Sequence, residues 1–109
     1  MHFLYIIYSR SIGTYYVGET HDMDERLAKH NNHIYSKGFT KSANDWIIAL
    51  KFECNSREDA LYLERFVKRM KSKTFINRII QKPSILEDLL SQKWVPPGSS
   101  DASELEAPP

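Results

Sequence analysis

Cysteine is nearly absent: Cys54 is the only one in 109 residues. A single thiol excludes an internal disulfide framework, and lone-cysteine usage suits a reducing, cytoplasmic setting. Four histidines, His2, His21, His30 and His33, show no zinc-type spacing, so a structural zinc site is not expected. No apolar run approaches the roughly 20 residues needed to cross a bilayer, so no membrane partner is expected. The apolar opening Met1–Tyr8 has no basic leader and is shorter than a secretory signal. Internal repeats are absent. So is any strong excess of one charge, the formal net charge being +1.

What is present is enough for one small core. Hydrophobic residues make up 41% and aromatic residues 12% of the chain, and this length supports one domain. The near-neutral total hides an asymmetry. Residues 1–82 carry 14 Lys/Arg against 9 Asp/Glu, a balance of +5, and residues 83–109 carry one Lys against 5 acids, a balance of −4. A basic body with an acidic end hints at a nucleic-acid partner, although +5 is also an ordinary solubility charge.

Phe3–Tyr8 is dense in aromatic and β-branched residues, with both alternating faces apolar, and is predicted to be a central strand. Ser9–Gly13 is a short turn and Thr14–Gly18 its hairpin partner. Asp22 is a good N-cap for a helix over Met23–Asn31. Asn31–Asn44 is polar and reads as a long loop. In the strand Trp46–Cys54 that follows, period-2 alternation places Trp46, Ile48, Leu50 and Phe52 on one face. Ser56 and Asp59 resemble a capping box for a helix ending near Met70. Its expected buried stripe is Ala60, Leu63, Phe66, Val67 and Met70. Ser72 caps a short helix through Ile80, and Pro83–Ser84 opens an amphipathic helix bearing Ile85, Leu86, Leu89 and Leu90. The order β-β-α-β-α-α-α predicts an α+β fold, a mainly antiparallel sheet with helices packed on it. Past Trp94 the chain is rich in Pro, Gly, Ser and acids. The expected division is a domain over 1–82, a helix over 83–94 and a disordered tail over 95–109.

Five polar residues fall where chemistry is plausible. Tyr5 and Tyr16 lie on paired strands. Arg26 and His30, four apart, share a helix face beside the Met23/Leu27 stripe, and Glu64 edges the buried stripe of its own helix. A carboxylate for a hard cation, a guanidinium for phosphate charge, and a phenol or imidazole for a water proton together suit phosphodiester hydrolysis. Each also has a plain reading. The tyrosines fit as core residues, Arg26 and His30 as a helix rim, and Glu64 with Lys68 as a surface i,i+4 pair worth ~0.3 kcal/mol.

Order and spacing add to this. Phe3-Leu4-Tyr5-Ile6-Ile7-Tyr8-Ser9, Tyr15-Tyr16-Val17-Gly18, Asp22 through Asn31, and Ala60 through Arg69 together resemble the ordered motifs of the GIY-YIG nucleases over about Phe3–Ile80. The likeness is to the small standalone bacterial proteins often labelled excinuclease-like. It implies a three-stranded antiparallel sheet flanked by helices, and a metal-dependent endonuclease acting on DNA, with RNA left open and a link to structure-selective cutting or repair. It further implies that Tyr5 and Tyr16 orient or deprotonate water, that Arg26 stabilises the transition state and that His30 stands near the nucleophile. Glu64 would ligate one Mg²⁺ or Mn²⁺ ion. The first motif departs from the family, with Phe3-Leu4-Tyr5 in place of Gly-Ile-Tyr, and Val17 replaces Ile. Asn77 loosely matches an asparagine near the site of some relatives. Glu19 is either a second carboxylate or simply the end of its strand.

The basic residues Lys37, Lys41, Lys68, Arg69, Lys71, Lys73 and Arg78 fall on the loop and the later helices. Lys37, Lys41, Lys68, Lys71 and Lys73 are the expected phosphate-backbone contacts. The alternative reading is a binding domain that keeps the fold without catalysis.

Overall fold

Among the described residues three strands and four helices follow in the expected order: β1 (His2–Ser9), β2 (Thr14–Thr20), α1 (Met23–Asn31), β3 (Trp46–Cys54), α2 (Arg57–Met70), α3 (Lys73–Gln81) and α4 (Ser84–Ser91). The computed structural model describes residues 1–32 and 43–92. Lys37, Lys41, His33, Trp94 and the tail assigned to 95–109 lie outside the described residues. The strands form one antiparallel sheet in the order β2-β1-β3. β1 is central because both its faces are apolar and both must be covered.

The two faces carry separate cores. Leu4, Ile6 and Val17 pack with Ala60, Leu63 and Val67 of α2, Ile79 of α3 and Leu86 of α4. On the other face Tyr5, Ile7, Met23, Ala43 and Trp46 pack together, with Tyr16 and Leu27 against them. Leu4, Ile6, Leu63, Ile79 and Leu86 are fully buried, each contributing about 1.5–3 kcal/mol. Because Leu86 sits in the same core as α2, α4 is built into the body; it ends at Ser91, short of the expected 94.

Two expectations fail for local reasons. Leu50 pairs with Ile6 and Ile48 with the next residue, Ile7, so Ala49 is an extra residue in β3. This β-bulge inverts the alternation. Leu50 and Phe52 face α2, whereas Trp46 and Ile48 turn to the α1 face, so the four do not share a side. Met70, expected in the α2 stripe, is 47% exposed at the helix end, where Lys71 breaks the helix with φ 49°.

The helix starts behave as their cap residues dictate. Asp22 accepts from the Glu25 amide, Ser56 from Asp59 and Ser72 from Phe75, each at 3.0–3.1 Å. Gly13, at φ 61°, closes the β1–β2 hairpin in a conformation that glycine adopts without steric cost.

Candidate active site at the edge of the sheet

On the α1 face, Tyr5 lies opposite Gly18 across the β1–β2 ladder, and Tyr16 opposite Ile7. The phenol of Tyr5 is 1% exposed and lies across β2 where Gly18 leaves space. A Cβ on Gly18 would stand 2.5 Å from Cζ of that ring. The ring therefore reaches α1, and its hydroxyl is 2.9 Å from Nε2 of His30. Tyr16 completes the group, its ring centroid 5.1 Å from His30 and 6.4 Å from Tyr5.

α1 is anchored at both ends, which fixes His30. Asp22 caps its start, with Met23 buried beneath. At its end Asn31 donates to the Trp46 carbonyl at 3.0 Å and accepts from the Trp46 amide at 2.7 Å, tying the last turn to β3. His30 is 3% exposed. Burial, and then the charge of Arg26 one turn earlier, lower its pKa from 6.5 to about 4. The imidazole is thus neutral at neutral pH. A neutral imidazole whose ring proton sits on Nδ1 accepts at Nε2, so the Tyr5 hydroxyl donates there. Arg26 is half-buried, with its Nε inside the protein.

Glu64 comes from α2, on the other side of the sheet, and is linked to this group through Lys68. Its carboxylate accepts from Lys68 at 2.8 Å, and the Lys68 ammonium lies 5.2 Å from the centroid of the Tyr16 ring. The surface pair foreseen from the spacing therefore exists, its lysine lies by Tyr16, and the Glu64 side chain is 20% exposed. Among the described residues no three His, Cys, Asp or Glu side chains cluster to form a metal cage. A lone carboxylate fits Mg²⁺, which keeps several waters and is commonly held by one or two carboxylates together with substrate phosphate oxygens.

Lys68, Lys71 and Lys73 line one cavity next to Tyr16. Glu19 is directed to the α2 face, opposite Tyr5, and its carboxylate is occupied by His2 at 2.8 Å and Arg57 at 3.9 Å. Asn77 accepts from the Tyr15 hydroxyl at 3.2 Å, on the α2 side of β2. Three contributions were missed in the sequence: the space left by Gly18, the Asn31 clamp and the position of Lys68 over Tyr16. The first had a visible signal, a glycine in a strand opposite an aromatic residue.

A family model for the GIY-YIG catalytic domain matches residues 1–78, which include every residue of this cluster. Neither the curated proteins nor the solved structures return an individual match. With that match over more than two thirds of the chain, and with the sheet, helices and tyrosine pair in place, the chain belongs to the GIY-YIG catalytic-domain family, whose members are typically nucleases.

Proposed function

We propose that the protein is a metal-dependent endonuclease that hydrolyses phosphodiester bonds in DNA, with structure-selective cutting in repair or processing as its setting. The observation that carries this reading is the buried Tyr5–His30 hydrogen bond at 2.9 Å, with the imidazole held neutral. A water attacking phosphorus must lose a proton. Tyr5 takes that proton on its oxygen while passing its own to Nε2 of His30, so no free phenolate is needed at neutral pH. Tyr16 packs against both rings and fixes the approach. Arg26, beside His30, and Lys68, over Tyr16, supply positive charge to the phosphate oxygens as the transition state forms. Glu64 would hold the Mg²⁺ or Mn²⁺ ion, which when bound neutralises charge on the scissile phosphate.

The test is cleavage of plasmid, linear, branched and RNA substrates with and without Mg²⁺ or Mn²⁺, beside Glu64→Gln. The expected result is cutting that requires the metal and vanishes in Glu64→Gln while the fold persists by circular dichroism. A folded wild-type protein that binds DNA and cuts nothing would replace this reading with the non-catalytic binding domain.

A further inference from the structure

Between the outer edge of β2 and the corner where α2 meets α3 lies a cavity of about 430 Å³, inside the roughly 300–1,000 Å³ range of sites that take small organic groups. Its walls are aromatic and aliphatic, from Tyr15, Tyr16, Val67 and Ile76, and its rim carries Lys68, Lys71 and Lys73. None of the described residues that line it is acidic. It shares Tyr16 and Lys68 with the candidate active site, so whatever enters it is continuous with the reacting phosphate. Its aromatic wall is preset. The Tyr15 ring packs on Tyr8 at 4.9 Å between centroids and its hydroxyl donates to Asn77 at 3.2 Å. Lys73 is fixed on the hairpin turn by donation to the Gly13 carbonyl at 2.9 Å.

We propose that this cavity receives an unpaired base, so that the enzyme engages a nucleic-acid strand in single-stranded form beside the bond it cuts. This deepens the nuclease reading and rests on it. A base within a duplex has both faces covered by its stacked neighbours and cannot lay a face on the aromatic wall without leaving the stack. An unpaired base presents a free face to an aromatic wall, and its flanking phosphates meet the lysine rim. The pocket selects the unpaired state, so the substrate class is flaps, loops and single-stranded junctions.

The test is binding without divalent metal, using a short DNA oligonucleotide with 2-aminopurine as an unpaired strand, at a flap junction and in a blunt duplex. A parallel RNA strand reports on the sugar. The unpaired and flap forms are expected to bind about tenfold more tightly than the duplex, the size of one base–aromatic stack, with 2-aminopurine emission quenched on binding. Tyr15→Leu should remove the quenching and the preference, and Tyr15→Phe should keep both. Lys71→Glu with Lys73→Glu, both on the exposed rim, should weaken the unpaired form most. Equal affinity for all forms with no quenching, in a protein that still cuts, would overturn the pocket and leave the nuclease reading standing. Quenching and preference in a protein that never cuts would support the pocket and overturn the nuclease reading.

Discussion

His30 links packing to chemistry in one side chain. Burial is the larger cause of its lowered pKa and Arg26 the smaller, so the histidine signal in an NMR titration should move with a midpoint near 4. Arg26→Gln should raise that midpoint only part of the way towards 6.5, because burial remains. The folded pKa lies below the unfolded one, so the unfolded chain binds more protons between these values. The contribution of His30 is then complete above pH 6.5 and is lost as pH falls towards 4. At about 1.4 kcal/mol per pKa unit the loss is roughly 3 kcal/mol. Urea unfolding at pH 7.5 and pH 4.5 should show it, and His30→Gln should flatten the difference; equal slopes in both proteins would contradict the assignment. Gly18 acts on the same pair from across the ladder. In Gly18→Ala the new methyl has to displace the Tyr5 ring, at about 1–3 kcal/mol of overpacking. The variant should fold, lose the Tyr5–His30 bond and cut poorly. Unchanged cleavage by Gly18→Ala would show that the ring position is unimportant.

At the scale of elements, composition and caps were enough to place every strand and helix. Asp22, Ser56 and Ser72 each start a helix because a side-chain oxygen replaces the missing acceptor of the first turn. The faces of β3 were not legible. Period-2 alternation holds only in a regular ladder, and nothing in Trp46-Ile47-Ile48-Ala49-Leu50 marks Ala49 as the extra residue, since either isoleucine would serve a pattern argument as well. The bulge lets Trp46 close the α1 core while Leu50 and Phe52 serve the other. Trp46→Ala should cost about 3–5 kcal/mol, a large drop in the urea midpoint, whereas Ile48→Ala, at a position 39% exposed, should cost far less. Equal midpoints for the two variants would show that Trp46 does not close the α1 core.

Across the whole molecule, the candidate site straddles the edge of the sheet. α1 supplies Arg26 and His30 from one face, and α2 supplies Glu64 and Lys68 from the other. β2 at the edge lets His30 from one side and Lys68 from the other both reach Tyr16. The identity of these residues was legible because their order along the chain resembles that of a family. Their assembly was not, because it depends on which strand is outermost and on how far a lysine reaches around it. Among the described residues no helix is long and apolar enough to cross a membrane. The same edge position leaves the lysine-rimmed cavity open to a long substrate.

In the proposed mechanism Tyr5 is the group that takes the proton of water. Tyr5→Phe keeps the ring that fills the buried space and removes only the oxygen bonded to His30. The decisive measurement is single-turnover cleavage of one substrate by wild type and Tyr5→Phe in Mg²⁺, with DNA affinity measured in parallel without metal. The predicted result is unchanged affinity and a rate lower by ~10²–10⁴, the usual contribution of a positioned acid–base group. Tyr5→Phe cutting at the wild-type rate would contradict it.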